Sequence, residues 1–216
     1  LANIATSCEK ILQEIRNLQR SELAEAGEGF DVKKQVGSST MAHKKNPIKS
    51  ENASGLARIV RSFIIPTYEN ALLWHERDLA NSSSERFTLS HGSSLCEDVI
   101  SKTRQVLTNM WVDAERCLEN IRAQRGLVMA EKVMIDLVDR GIPRDEAHEI
   151  LREASFAAVA NKEELIDVCS RTPAISAAFS AEELEAMFEP SNHIGVSGEL
   201  VDEAVALARA AIQSTE

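Results

Sequence analysis

The chain has 216 residues, 44% apolar and 27% charged, a balance that suits a soluble globular protein with one large domain or two small ones. Its net charge of −10 argues against general binding to nucleic acid or to an anionic membrane surface, both of which call for a basic face. No run approaches the roughly 18 apolar residues that span a bilayer, and no basic start followed by a short apolar core marks a secretory leader.

Aromatic residues make up only 4%, while Ala, Leu, Glu and Arg are plentiful, so helix is favoured over sheet. Leu1, Ile4, Cys8, Ile11, Leu12, Ile15 and Leu18 recur at spacings of three and four. This predicts an amphipathic helix to about Glu25, stopped by Gly27 and Gly29. The chain opens inside this pattern, on Leu1 and with no capping signal, which reads as a fragment of a longer protein. Residues 30–46 lack apolar periodicity and are expected to form a loop. Pro47 then starts a helix running toward Phe63, with Ile48, Leu56, Ile59, Val60 and Phe63 as its apolar positions. Pro66 marks a break, after which the apolar run resumes through Leu72, Leu73 and Trp74.

Asn81 to Glu85 supply capping residues for a helix of about thirty residues or more, with Phe87, Leu95, Val99, Val106, Met110, Cys117, Leu118 and Ile121 near one face. Helices of that length usually belong to bundles. From about Gly126 short helical pieces follow, near 145–160, 161–170, 181–188 and 198–214, split by turn signals such as Gly141-Ile142-Pro143. The expected fold is all-α, a long-helix bundle over residues 1–125 and a small all-helical domain over 126–216. Cys8, Cys96, Cys117 and Cys169 are far apart with no CxxC pair. Cys8 and Cys117 fall at apolar helix positions, so buried free thiols in a reducing compartment are expected. No ligand-spaced Cys/His cluster calls for a metal.

Two segments carry chemistry. Gly37 to Pro47, continuing into Ile48-Lys49-Ser50-Glu51-Asn52, combines hydroxyls and cations with a helix start, where free amides and the helix dipole favour anions. Trp74 to Arg86 places Arg77 and Arg86 around a run of serines, and the guanidinium fork matches carboxylate and phosphate geometry. From Lys33 to Arg86 nine Lys/Arg (33, 34, 44, 45, 49, 58, 61, 77, 86) face five Asp/Glu (51, 69, 76, 78, 85), a local charge of +4 in a chain of −10. Such a region can draw in a small polyanion. Composition and spacing stop there.

The segment Gly37-Ser38-Ser39-Thr40-Met41-Ala42-His43-Lys44-Lys45-Asn46-Pro47 closely resembles the signature loop of the fumarase/aspartase superfamily, whose members eliminate fumarate or a related product from a substituted succinate. Its continuation into α-helical Ile48 to Arg58, the Trp74 to Arg86 segment and the upstream Ile15 to Glu22 are similar to adenylosuccinate lyases, over residues 1–125. The resemblance implies the superfamily's central helical bundle and a cytoplasmic homotetramer with active sites shared between subunits. It implies release of fumarate from adenylosuccinate to give AMP, and from the succinylated aminoimidazole carboxamide ribotide, in purine biosynthesis. The implied partner is a small-molecule substrate, with no cofactor and no metal.

By the same resemblance Ser38 is the base, Lys44 contacts the succinyl part and steadies the serine alkoxide, and Glu51 supports a catalytic histidine. Ser39 binds carboxylate, and Met41 and Asn46 lie along the succinyl group. Arg77, Ser82 and Arg86 hold the nucleotide phosphate and neighbouring groups. The family's general acid is a histidine of the N-terminal half, and none of His43, His75, His91, His148 or His193 sits in a matching segment, so this chain alone is expected to be inactive. Ala42 stands where the family loop usually has proline, which makes ordering of the loop more costly in entropy. The competing readings are a sister lyase of the argininosuccinate lyase or carboxymuconate cycloisomerase type, and a helical scaffold without catalysis.

Overall fold

The stripe at the head of the chain folds as α1 (Ala2–Leu18), burying Ala5, Leu12 and Ile15. The computed structural model describes residues 1–29, 41 and 44–214, so Ser38, Ser39, Ala42 and His43 lie outside the described residues. Helix α1 ends earlier than the expected Glu25, because the chain doubles back. The amides of Ala24 and Glu25 reach the carbonyls of Arg20 and Leu18, and Ala24 takes a φ of 54°. Ala26–Gly27 (β1) then pairs antiparallel with Trp111–Val112 (β2), Gly27 lying opposite Trp111. Glycine is required at 27, since a Cβ there would fall 2.6 Å from the Trp111 ring. Arg116 pins the same turn, its guanidinium donating to the carbonyls of Leu23 and Glu22 at 3.0 Å each. Apart from this two-residue ladder the regular structure among the described residues is helical, as the composition led us to expect.

Helices α2 (Ile48–Ser62), α3 (Ile64–Glu69), α4 (Ala80–Asn109) and α5 (Ala114–Arg122) follow. Ala5 packs with Ala57, Val60, Cys96 and Val99, while Leu12 and Ile15 pack with Ala53 and Val106. These pairings set α2 antiparallel to both α1 and α4. Its buried face is Ser50, Ala53, Ser54, Ala57 and Val60, whereas Ile48 and Ile59, two of its apolar positions, are exposed. A row of small side chains lets neighbouring helices approach closely. The buried hydroxyls are satisfied within their own helices, Ser54 donating to the Ser50 carbonyl at 2.7 Å and Thr103 to that of Val99 at 2.7 Å. Arg61 of α2 adds an ion pair to Glu9 of α1 at 2.5 Å.

Helix α4 has 30 residues but is shifted from its expected frame. It begins at Ala80, and the residue that receives its first amide is Asp78, whose carboxylate accepts from Ala80 N–H at 2.8 Å and Trp74 N–H at 2.9 Å. Those two amides hold the Asp78 carboxyl below its ordinary value of 3.8. Asn81 lies buried inside the first turn, donating to Glu85 at 3.0 Å, rather than capping. The helix stops at Met110, whose backbone is extended, so Cys117, Leu118 and Ile121 belong to the separate helix α5.

The chain divides into two compact units, Leu1–Glu119 and Asn120–Glu216. After the end of α5 the second has a 3-10 turn at Leu127–Met129, then α6 (Ala130–Asp139), α7 (Arg144–Asn161), α8 (Leu165–Arg171), α9 (Pro173–Ala178), α10 (Ala181–Phe188), another 3-10 turn at Pro190–His193 and α11 (Ser197–Gln213). Val133, Leu137, Leu151, Leu165, Ile175 and Leu184 meet in one core there. Ser180 and Glu183 form a reciprocal capping box at the start of α10. No residue of α11 is buried. All four cysteines are free, but the buried ones are Cys96 and Cys169, while Cys8 and Cys117 are half-buried, contrary to expectation. Both sit at the margin of an apolar stripe rather than its centre. Burial pushes the Cys169 thiol up to about 11, which keeps it protonated and unreactive. Among the described residues no helix is long and apolar enough to cross a membrane.

Candidate active site

An open cleft of about 940 Å³ lies where the end of α1 meets the start of α2. Met41, Lys44, Asn46 and Glu51 line it together, so four of the residues singled out from the sequence share one wall. Lys44 is exposed, and its amide donates to the Met41 carbonyl at 3.1 Å. The Asn46 carbonyl accepts from Ile48 N–H at 2.9 Å, and the Pro47 carbonyl from Glu51 N–H at 2.9 Å. These bonds lead the chain directly into α2, with Glu51 exposed one turn inside it.

The start of α2 is not available to an outside anion through its first amides. The Glu28 carboxylate, only 5% exposed, accepts from Lys49 N–H at 3.2 Å, Ser50 N–H at 3.0 Å and Ser50 Oγ at 3.0 Å. The helix dipole and these donors offset the cost of burying that charge. An anion in the cleft has to be met by side chains instead. Arg16 in the last turn of α1 and Arg20 just beyond its end line the cleft too, with Gln13, and Lys45 adds a further cation. Arg16 donates to Gln13 Oε1 at 2.9 Å. Sequence reading passed over Arg16, Arg20, Gln19 and Glu28 as functional residues. The i, i+4 spacing of the two arginines beside the apolar stripe was a usable signal for the first pair. Nothing local marks Glu28.

Arg77, Ser82 and Arg86 are elsewhere. Arg77 is exposed in the connection before α4, Ser82 is half-buried in its first turn, and Arg86 is exposed one turn on. Because α2 and α4 are antiparallel, this group sits past the far end of α2, beside an apolar groove lined by Val60, Phe63, Thr88 and Gly92. The 15 residues of α2 alone span about 22 Å. Within one chain the candidate residues therefore form two groups at opposite ends of the bundle. Ser38 and Ser39 lie outside the described residues, and no group of three or more metal-ligating side chains is found among those described.

Residues 126–204 match the family described as adenylosuccinate lyase C-terminus, and residues 1–62 match the family described as lyase. The chain is 43% identical over 205 residues to an adenylosuccinate lyase of Archaeoglobus fulgidus, covering 95% of this chain and 46% of that protein. It is 43% identical over 202 residues to that of Methanothermobacter thermautotrophicus, covering 94% and 45%. The chain thus spans just under half the length of these relatives. Among solved structures, a 3-carboxy-cis,cis-muconate lactonizing enzyme from Pseudomonas putida superposes with a TM-score of 0.82 at 30% identity, over 95% of this chain and 44% of the other. A fumarate lyase from Mesorhizobium superposes equally well at 25% identity, with the same coverage. The muconate enzyme shares the architecture at lower identity than the adenylosuccinate lyases. By sequence, the chain belongs to the adenylosuccinate lyase family and corresponds to the C-terminal portion of its members.

Proposed function

We propose that this chain contributes the base and the anion-binding side chains of an adenylosuccinate lyase, which releases fumarate from adenylosuccinate to leave AMP and acts likewise on the succinylated carboxamide ribotide. The observation that carries the reading is the cleft that Lys44, Asn46, Met41 and Glu51 line together with the cations Arg16, Arg20 and Lys45. On this reading Ser38 removes the proton from the carbon beside a succinyl carboxylate. The electron pair moves through the aci-carboxylate into the new C=C bond as the C–N bond breaks, and a histidine from the N-terminal half protonates the departing nitrogen. Lys44 stabilises the charge that develops, Ser39 and Asn46 bind the carboxylates, Met41 packs along the succinyl carbons, and Glu51 orients the histidine. Arg77, Ser82 and Arg86 bind the phosphate.

Since the two groups lie at opposite ends of the bundle, each complete site draws on more than one subunit. A homotetramer is supported by the large apolar side chains left exposed in this unit, among them Ile65 of α3, Leu72 of the connection after it, and Phe87 and Leu89 of α4. The four free cysteines fit a cytoplasmic enzyme. The same reading assigns residues 1–125 to the central bundle domain and 126–216 to the small C-terminal domain.

The test is fumarate release from adenylosuccinate by this chain alone and after mixing with the N-terminal half. Activity confined to the mixture and lost on Ser38→Ala supports the reading. An assembled mixture that is inactive on adenylosuccinate yet turns over argininosuccinate or a carboxymuconate overturns it in favour of a sister enzyme.

A further inference from the structure

Glu28 and Gln19 form a connected hydrogen-bond unit beneath the cleft. The Gln19 side chain faces two ways, its Oε1 accepting from Glu28 N–H at 2.8 Å and its Nε2 donating to the Lys45 carbonyl at 2.9 Å. Glu28 in turn holds the amides of Lys49 and Ser50 and the Ser50 hydroxyl. One buried carboxylate and one amide side chain thus grip the backbone on both sides of Asn46 and Pro47. Lys44 precedes the gripped carbonyl by one residue, and Glu51 follows the gripped amides by one.

The grip has rigid supports. Gln19 caps the C-terminus of α1, its own amide bonded to the Ile15 carbonyl at 3.0 Å. Glu28 sits between Gly27, pressed against Trp111, and Gly29, where a Cβ would fall 2.2 Å from the Asn109 carbonyl oxygen. Neither glycine tolerates a side chain without moving the backbone that presents Glu28. The end of α1, the β1–β2 ladder and the end of α4 therefore converge on one carboxylate, and that carboxylate fixes the first turn of α2. Were its role only to cap a helix, an exposed Ser or Asp at the N-cap position would serve. Here the N-cap is Pro47, which offers no side-chain bond, and the cap comes from 22 positions upstream in the chain.

We propose that Glu28 and Gln19 are positioning residues for the lyase reaction, acting through the backbone to hold Lys44, Asn46 and Glu51 in register along the cleft wall. This rests on the function proposed above. On that reading Lys44 stabilises charge that develops during the reaction and Glu51 orients the histidine, whereas the phosphate group binds at the Arg77 end. Loosening the wall should therefore lower kcat and leave KM nearly unchanged, since misplacement by about 1 Å can cost up to about a hundredfold in rate.

The experiment uses the full-length assembled protein carrying Glu28→Gln, Glu28→Ala or Gln19→Glu. Glu28→Gln keeps one acceptor for the α2 amides. Gln19→Glu keeps the acceptor for Glu28 N–H but turns an oxygen toward the Lys45 carbonyl. We expect kcat to fall about tenfold in both, and further in Glu28→Ala, with KM within about threefold of the parent. Amide exchange at Lys49 and Ser50 should quicken in the two Glu28 variants. Unchanged exchange at those amides overturns the proposal, and so does faster exchange with unaltered kcat. Should Glu28→Ala fail to fold, the near-isosteric Gln19→Glu decides the matter. If the parent enzyme releases no fumarate, it is the functional reading that fails, and exchange at Lys49 and Ser50, which needs no turnover, still decides whether Glu28 holds this wall.

Discussion

In the unit Asn120–Glu216, helices α6 to α10 close around Leu137, Leu165, Ile175 and Leu184, large side chains that meet each other inside a single chain. In the unit Leu1–Glu119 the inside mixes Leu12, Val99 and Val106 with a row of small residues, Ala5, Ala53 and Ala57, and Ile65, Leu72, Phe87 and Leu89 lie outside. A core of large interlocking side chains is self-sufficient. On the assembly proposed above, the large apolar side chains on the outside of the first unit are the surface that other chains cover. The cleft residues all lie in that first unit. On the proposed function the chemistry then falls in the first unit alone, and substitutions should separate it from the stability of the second.

The largest separation is expected from Ser38→Ala, which should cut fumarate release by the assembled enzyme by about a thousandfold while leaving the melting curve in place. A modest loss would place the base elsewhere. The mirror experiment is Leu165→Ala, a fully buried side chain of the second unit. It should cost about 2–5 kcal/mol in denaturant unfolding and leave kcat of the remaining folded enzyme unaltered. Ile65→Asp probes the exposed face of the first unit. A drop in particle mass by light scattering, with helicity retained, is the expected outcome, and an unchanged mass would mean that this face is not covered in the assembly.

The smallest effect concerns Asp78. Its folded pKa is depressed by the Ala80 and Trp74 amides, so the stabilisation of the α4 start is fully present above the ordinary value of 3.8. It is lost as pH falls through the depressed folded value. Exchange of the Ala80 amide should quicken on that acid side in the parent and show no such step in Asp78→Asn.

How far the sequence could be read follows from how far apart the interacting groups lie along it. The segment Ser38 to Glu51 was legible because its chemistry is packed into a short run, and the helical texture was legible from apolar spacing in α1 and α7. The buried face of α2 within the chain was not legible, because the row Ser50, Ala53, Ser54, Ala57 is made of small residues that apolar spacing does not mark. The serines before α4 looked like caps, yet Asp78, just upstream, takes the amide and draws them into the helix. The Glu28 to Ser50 bonds join residues 22 apart through a turn that no periodicity signals. What was legible was local, and what was missed was either small or distant.

The two groups of candidate residues each carry one of the chain's two tryptophans, Trp111 in the cleft and Trp74 beside Arg77. Each end of the bundle thus has its own optical reporter. In forms of this chain carrying Trp74→Phe or Trp111→Phe, emission can be followed separately for the two ends, proposed above to hold the succinyl group and the phosphate. A ligand bridging subunits would perturb both indoles at one concentration, whereas inorganic phosphate would perturb Trp74 alone.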